Sequence, residues 1–308
     1  MLRSTLLWLS HNKTVRTTTT RWAVVRRAAR RFIAGETVEE AIATIRELNA
    51  RGIVATLDHL GENVETLDDA RRATDDYLKV LDAIGASGVQ SHVSVKLTAL
   101  GLDLGDDVCR ENVARIIARA QEVGTRVRID MESTAYTDRT LALYRGLARE
   151  YGNVGIVIQS YLYRSEADIV ALCQTGAHVR LCKGAYQESP VYAFPKKADV
   201  DASYVRLMKM LLSANARARG TRGALATHDP KMIEATRQYA ADALAPRDQF
   251  EFQMLNGIRR DLQHELAADG YTVRVYVPYG TEWYPYFMRR LAERPANLWF
   301  IVSNFFKK

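Results

Sequence analysis

The sequence predicts an α/β fold, a (β/α)8 barrel of the TIM type preceded by an N-terminal helical arm. Eight short runs rich in β-branched residues alternate with longer amphipathic stretches of helical periodicity. No G-x-G-x-x-G sequence follows any of these runs, and doubly wound sheets usually have fewer strands. We therefore expect a basic helical arm over residues 1–48 and a catalytic barrel over residues 49–308.

The eight runs predict the eight strands of the barrel in chain order. They are GIVATLD (52–58), HVSVKLTAL (92–100), RVRIDME (126–132), VGIVIQSY (154–161), HVRLCKGAY (178–186), GALATHD (223–229), FEFQML (250–255) and TVRVYVPYG (272–280). The stretches between them, such as ENVARIIARAQEVG, have helical periodicity, and most end on Gly or a small-residue turn. This alternation is typical of a parallel barrel enclosed by helices.

The first 35 residues form a basic segment that accounts for the net charge of the chain. They contain eight Lys or Arg and no acidic residue, so they contribute +8, and the other 273 residues sum to −1. Such a segment is typical of a solvated helical arm, of a contact with an anionic membrane or of a transit peptide. A nucleic-acid-binding protein usually carries its positive field on the body of the fold, so that class is disfavoured.

Polar side chains stand where the predicted strands end. The C-terminal ends of barrel strands face the active site, so we expect these side chains to line one cavity. Burying a charge costs on the order of several kcal/mol unless it is paired or binds a ligand, so a ring of such residues indicates a binding site. The residues are Lys96, Asp130, Glu132, Gln159, Arg180, Lys183, Tyr186, Thr227, His228, Gln253 and Tyr276.

The segment WYPYFMRRLAERP (283–295) predicts a last helix with two adjacent arginines. Helical spacing gives two stripes, one of Tyr286, Arg289, Arg290 and Glu293, the other of Trp283, Phe287 and Leu291. By itself the helix fits either a surface helix with an Arg–Glu pair or an anion clamp. Guanidinium groups bind carboxylates and phosphates in a bidentate manner, and the cations at the strand ends favour the clamp.

Other site chemistries have weaker support in the sequence. No two histidines have metal-ligand spacing, and no G-x-S-x-G elbow is present. The three scattered cysteines fit a reducing compartment and packing roles. A class I aldolase with Lys96 or Lys183 as a Schiff base remains an alternative, although it leaves the aromatic and amide groups of the ring unexplained.

Several motifs follow one another in the order in which one enzyme family carries them. They are VSVKL, IDME, QSYLYR, VRLCKGAY, ATHD, EFQML-x-G-x-R, RVYVPYG and YFMRRLAE. Together, from about residue 30 to the C-terminus, they resemble proline dehydrogenase, the FAD-dependent enzyme that begins proline catabolism, in its monofunctional bacterial form. Longer fused members have KGAYW and THN where this chain has Gln187 and Asp229, a departure that concerns subtype contacts and not the reaction.

The resemblance implies a role for each candidate residue. FAD would lie across the C-terminal mouth of the barrel, bound by Met131, Gln159, Arg180, Lys183, Gly184, Ala185, Tyr186, Thr227, His228 and Gln253. L-proline would be bound by Lys96, Arg289, Arg290, Tyr276, Tyr286 and Leu255, with Glu293 ordering the arginine pair. Asp130, which would position Lys96, and Arg180, which would lie near flavin N5, are the implied catalytic residues.

The resemblance also implies the reaction and its partners. L-proline would be oxidised to Δ1-pyrroline-5-carboxylate by hydride transfer from C5 to flavin N5, and a membrane quinone would reoxidise the flavin. Hydrolysis of the product gives glutamate semialdehyde, the substrate of a separate downstream dehydrogenase. The implied location is cytoplasmic, with peripheral contact at the inner face of the cell membrane through the basic arm.

Overall fold

The chain forms a closed barrel of eight parallel strands. The computed structural model describes residues 23–293, and the side chains of residues 25–291. The strands are hydrogen-bonded in chain order, β1 to β8, and β8 pairs with β1 to close the barrel. The predicted (β/α)8 fold is therefore confirmed.

The elements alternate along the chain. The strands are β1 Val54–His59, β2 Ser91–Val95, β3 Val127–Ile129, β4 Val154–Gln159, β5 His178–Cys182, β6 Arg222–Ala226, β7 Phe250–Leu255 and β8 Thr272–Tyr279. The helices are α1 Ala23–Ala29, α2 Val38–Asn49, α3 Leu67–Ser87, α4 Asp106–Glu122, α5 Thr137–Glu150, α6 Ser165–Gln174, α7 Lys197–Leu212, α8 Ala214–Ala218, α9 Pro230–Asp242, α10 Arg260–Ala268 and α11 Trp283–Glu293. Short 3₁₀ turns cover Thr98–Leu100, Thr134–Tyr136 and Arg247–Gln249.

Each predicted run overlaps a strand, but most of the strands end before the run does. The run 92–100 is a strand only to Val95, because the N–H groups of Leu100 and Leu102 both donate to the carbonyl of Leu97 and turn the chain. The run 178–186 is a strand only to Cys182, and Gly184 beyond it adopts a φ of +117°. The predicted strand ends at 100 and 186 are therefore wrong, because the chain turns over the barrel mouth at these points.

The apolar core lies between the outer faces of the strands and the helices. On β5, Val179 and Leu181 are fully buried, whereas the side chain of Arg180 between them bonds to residues on β2 and β7. Since β5 pairs with neither of these strands, Arg180 points into the barrel. The period of two thus separates an apolar outer face from a polar interior.

A glycine on β4 makes room for an arginine in this interior. Arg128 Nη1 donates to the carbonyls of His178 (2.5 Å) and Ile156 (3.2 Å). A Cβ atom at Gly155 would lie 2.5 Å from Arg128 Nη1 and 2.8 Å from the His178 carbonyl oxygen. Burial and nearby Arg180 lower the pKa of Arg128 to about 9.

Helix α11 is held by the segment that follows α1. The rings of Phe32 and Phe287 lie 6.1 Å apart, and Trp283 Nε1 donates to Glu36 at 3.1 Å. The apolar stripe predicted for this helix is buried here together with Ile33 and Leu60. Residues 1–22 lie outside the described part of the chain, so the arm and its boundary at residue 48 stay predictions. No helix within residues 23–293 is long and apolar enough to span a bilayer.

We predict that Gly155→Ala destabilises the fold by about 1–3 kcal/mol, because the added methyl overpacks against a buried guanidinium and a carbonyl. Gly146→Ala on α5 is the matched control. Apart from its chain neighbours and the backbone of its own helix, nothing lies within 4 Å of the added Cβ, so replacing a helical glycine should stabilise the protein by about 0.5–1 kcal/mol. Urea unfolding measures both; equal stabilities of the two variants would contradict the packing account.

Candidate active site

One cavity opens where the strands end at their C-termini. Its volume is about 470 Å³, within the range of roughly 300–1,000 Å³ typical of small-molecule sites. Its lining includes every predicted cofactor, substrate and catalytic residue whose side chain the structure describes. The side chain of Glu293 lies outside the described residues, so its predicted pairing with the arginines stays untested.

The guanidinium of Arg180 is fixed by contacts to residues on three strands and in the loop after β3. Its Nε donates to Gln253 Oε1 (2.5 Å), Nη1 to Asp130 Oδ1 (2.7 Å) and Nη2 to Ser94 Oγ (3.0 Å). Its carbon lies 5.2 Å from the centre of the Tyr276 ring, whose hydroxyl donates to Asp130 Oδ2 at 2.9 Å. Burial and the charge of Asp130 raise the pKa of Tyr276, so its hydroxyl stays a donor.

Lys96 is paired mainly with a residue that sequence reasoning missed. Its Nζ lies 2.9 and 3.0 Å from the two carboxylate oxygens of Asp58, and 3.9 Å from Asp130 Oδ2. Burial alone would lower the pKa of Lys96, but the carboxylate of Asp58, helped by Asp130, raises it well above its ordinary value. The predicted positioning of Lys96 by Asp130 stays a prediction: Asp130 forms an ion pair with Lys96 at 3.9 Å, Asp58 supplies the hydrogen bonds, and Asp130 also binds Arg180 and Tyr276.

The arginine pair on α11 reaches the same cavity. Arg289 Nη2 forms an ion pair with Glu62 at 3.0 Å, and both side chains are about one quarter exposed. Arg290 is 9% exposed and lies over the Tyr286 ring, 5.1 Å from its centre. Burial alone would lower the pKa of Arg289, but Glu62 raises it, so this guanidinium is charged and has a carboxylate partner. An anionic ligand at Arg289 must compete with Glu62.

The segment after β5 forms a second part of the lining. Gly184 is required there because an added Cβ would lie 2.5 Å from the Tyr161 ring and because its φ is positive. Lys183 Nζ is bound by Asp201 at 2.5 Å and by Asp229 at 2.7 Å, so its charge is shared by two carboxylates. A glycine is therefore needed at position 184 because the backbone lies close to Tyr161, whether or not a ligand also approaches it.

The predicted strand-end residues do not all have the same role in the structure. His228 Nε2 accepts a hydrogen bond from the N–H of Leu255 at 2.9 Å, so in the neutral ring the proton is on Nδ1. Glu132 is absent from the cavity lining, because its carboxylate accepts bonds from the N–H and hydroxyl of Thr98. Gln159 donates to the carbonyl of Glu132 at 2.8 Å. Glu132 is thus the predicted strand-end residue that does not line the cavity, and it stabilises the turn at Thr98 instead.

Three acidic residues of the cavity lining were not among the predicted site residues, namely Asp58, Glu62 and Asp229. A signal for Asp58 was present, because it is the last residue of the predicted run 52–58 and so stands at a strand end. Glu62 lies in the loop after β1, where neither periodicity nor spacing marks it. Its contact with α11 joins residues 227 positions apart and becomes visible only in the folded chain.

The arrangement can bind an anionic group and stabilise a second, developing negative charge. Lys96, Arg289 and Arg290 supply cations for a carboxylate or phosphate. Arg180, held in one orientation, supplies a preorganised charge elsewhere in the lining. Apolar surfaces of Met254 and Leu255 accompany them, so the cavity fits a partly apolar ligand with an acidic group.

The chain is similar in sequence to several known proteins. The family model described as proline dehydrogenase matches residues 41–302. Proline dehydrogenase 1 of Bacillus subtilis (strain 168) is 42% identical over 311 residues, which cover 100% of both chains. Proline dehydrogenase of Deinococcus radiodurans is 43% identical over 284 residues, 91% of this chain and 90% of that protein.

A solved structure of a longer protein shares the fold. Proline utilization A from Bdellovibrio bacteriovorus, inactivated by N-propargylglycine, superposes with a TM-score of 0.83 and 26% sequence identity. The match covers 95% of this chain and 36% of that one, so the chain spans about a third of the longer protein.

Proposed function

The chain belongs to the proline dehydrogenase family and catalyses the first step of proline catabolism, and from this premise we propose how its residues bind L-proline and FAD. The observation that carries the proposal is that a fixed cation, Arg180, and a cationic clamp of Lys96, Arg289 and Arg290 line the same cavity. The clamp fits the carboxylate of proline. Arg180 fits a position beside the flavin atom that would accept the hydride.

The lining fits FAD in its donor set and in its apolar surfaces. The flavin supplies the hydride acceptor when FAD is bound. Gln159, Thr227 and His228 offer hydrogen-bonding groups, Met131 and Ala185 offer apolar surface, and the backbone at Gly184 and the ring of Tyr186 complete this side. Lys183 supplies a cation for a phosphate of FAD. Its ammonium group also binds Asp201 and Asp229, so the phosphate shares this cation with two carboxylates. We assign these residues to FAD.

The arginine pair and Lys96 hold the substrate carboxylate. Arg289 exchanges its bond with Glu62 for one with proline, whereas Arg290 keeps its place over the ring of Tyr286. The rings of Tyr276 and Tyr286 and the side chain of Leu255 enclose the apolar ring of proline. Proline is thereby oriented by its acidic end and excluded from water along its carbon atoms.

The same cations prepare the amine for oxidation. Proline must release the proton of its ammonium nitrogen to solvent before the lone pair can assist departure of hydride from C5. Like-charge repulsion from Lys96 and the arginines, together with burial, lowers the pKa of that ammonium. The residues that bind the carboxylate thus also favour the reactive neutral amine.

The electron acceptor and the cellular context are further parts of the proposal. A membrane quinone would be the electron acceptor for the bound FAD, and a separate dehydrogenase would consume glutamate semialdehyde formed from the product. Arg26 and Arg30 of the basic segment are exposed by half or more of their side chains, which suits a transient contact with an anionic membrane surface from the cytoplasm.

The aldolase alternative is not supported. A Schiff base requires a neutral lysine amine, and Asp58 raises the pKa of Lys96 far from that condition. Lys183 is bound by two carboxylates. The match to the proline dehydrogenase family over residues 41–302 removes this alternative.

We expect the purified protein to contain non-covalently bound FAD whose visible absorption bleaches when L-proline is added without oxygen. The physical reason is the joint presence of a fixed cation and a carboxylate clamp in one cavity. Anaerobic absorption spectra measure it, with D-proline as the stereochemical control. A protein that stays colourless and inert after reconstitution with FAD would refute the cofactor assignment.

Replacing either arginine of the clamp should raise the KM for proline. Loss of a charge-assisted hydrogen bond costs about 1.5–3 kcal/mol, or about 10- to 150-fold in affinity. Lysine at either position should restore only part of it, because an ammonium lacks the planar fork. FAD content should stay normal, since the clamp binds the substrate.

Arg237→Ala on α9 is the matched control, because this arginine is ion-paired with Asp269 and is not part of the cavity lining. Tetrahydrofuran-2-carboxylate, which keeps the carboxylate without the amine, should inhibit the wild type competitively and the clamp variants weakly. The clamp is disproved if Arg289→Ala and Arg290→Ala both leave the KM and this inhibition constant unchanged.

A further inference from the structure

The hydrogen bonds that hold Arg180 continue below the cavity. Gln253, which accepts from Arg180 Nε, donates from its own Nε2 to Glu251 Oε1 at 2.5 Å. Glu251 in turn accepts from Arg274 Nε at 2.9 and 3.1 Å, and Arg274 Nη1 donates to the carbonyl of Ala55 at 2.7 Å. Neither Glu251 nor Arg274 lines the cavity.

The amide of Gln253 has two different ends, and its neighbours determine which way it points. A guanidinium only donates hydrogen bonds, so the carbonyl oxygen of Gln253 must face Arg180. A carboxylate only accepts them, so the NH₂ group must face Glu251. Burial alone would raise the pKa of Glu251, but Arg274 lowers it to about 2, so Glu251 is a carboxylate at any working pH.

We propose that Glu251 is a positioning residue for Arg180, acting through the amide of Gln253. Glu251 binds the NH₂ end of Gln253 and so holds its carbonyl oxygen under Arg180 Nε. Without an acceptor at position 251, the buried NH₂ group loses its partner and Gln253 moves to regain one. Arg180 then keeps its hydrogen bonds to Asp130 and Ser94 but loses the one from Nε to Gln253, which helps to fix the plane of the guanidinium.

This inference rests on the proposed function, because the orientation of Arg180 matters for catalysis where Arg180 lies beside the flavin. Charge and position have opposite effects there. Removal of the Glu251 charge alone would favour reduced flavin and raise its potential. Displacement of Arg180 would disfavour reduced flavin and lower its potential. The sign of the change in potential therefore separates the two effects.

A matched pair of double variants isolates the acceptor at position 251. Glu251→Met/Arg274→Met and Glu251→Gln/Arg274→Met each remove one negative and one positive charge, so the net charge is unchanged. Replacement of a buried ion pair by apolar residues is often neutral for stability. The two variants differ only at position 251, where Gln keeps an oxygen that can accept from Gln253 and Met does not.

The first measurement needs no cofactor. The ¹⁵N–¹H signal of Arg180 Nε–H, assigned by its loss in Arg180→Lys, is recorded in the apoprotein. The signal should keep its wild-type shift in Glu251→Gln/Arg274→Met and move in Glu251→Met/Arg274→Met. A signal that is the same in both variants would overturn the proposal.

The second measurement uses the FAD-loaded protein. In Glu251→Met/Arg274→Met the flavin should be reduced by proline about 3- to 10-fold more slowly, at lower potential and with little change in KM, as expected for one lost hydrogen bond. Glu251→Gln/Arg274→Met should stay near the wild type. Equal rates and potentials in the two variants would contradict the positioning role.

A third variant keeps the test decisive if the Met/Met variant does not fold. Gln253→Met cuts the same link from its other side, so it should displace the Arg180 signal and slow flavin reduction by a similar factor. An unchanged Arg180 signal in Gln253→Met would also overturn the proposal. A wild-type protein that proline fails to reduce would refute the proposed function, while the apoprotein signals still decide the link between Glu251 and Arg180.

Discussion

The guanidinium of Arg180 is the group on which the arrangement of the site depends. Each of its three nitrogen atoms is bonded to a side chain from a different part of the barrel, at Ser94 on β2, Asp130 after β3 and Gln253 on β7. Tyr276 on β8 adds its ring and binds the same aspartate. A side chain held in this way needs no reorganisation when charge develops beside it, which is the condition for electrostatic catalysis.

Holding a cation there has consequences for the rest of the barrel. The interior of such barrels is usually filled by branched apolar residues, whereas here Arg128, Arg180 and Arg274 are all buried within it. Arg274 is balanced by Glu251, and Arg128 is bonded to backbone carbonyls beside the space left by Gly155. The apolar layer between strands and helices supplies the hydrophobic stabilisation, so the interior is available for polar contacts.

Sequence reasoning found the fold and most of the cavity because both follow local rules. Alternation of strand and helix gives the barrel, and the C-terminal ends of its strands give the place where Lys96, Arg180 and Tyr276 meet. The strands predicted to end at 100 and 186 were too long, because a run of β-branched residues does not show where the chain turns at the mouth of the barrel. Glu62 was missed because its pairing with Arg289 depends on tertiary structure alone.

The pairings within the site were also beyond the sequence. Asp130 was expected to position Lys96, and it lies 3.9 Å from that ammonium, but only the folded geometry shows that Asp58 binds Lys96 more closely, that Asp130 binds Arg180 and that Glu62 binds Arg289. Composition can show that cations and anions are both present at strand ends. Whether two such groups lie about 3 Å apart, as in a hydrogen bond, or about 4 Å apart, as in a weaker ion pair, depends on backbone twist and side-chain rotamers.

The most direct test of the account is the midpoint potential of the bound flavin in Arg180→Met compared with the wild type and with Arg180→Lys, measured by anaerobic redox titration. If the cation stabilises the reduced flavin by about 1.5–3 kcal/mol, the potential of Arg180→Met falls by about 30–60 mV. Lysine, which keeps the charge without the planar fork, should give an intermediate value. An Arg180→Met protein that binds FAD normally and has the wild-type potential would contradict the account and leave Arg180 a structural residue.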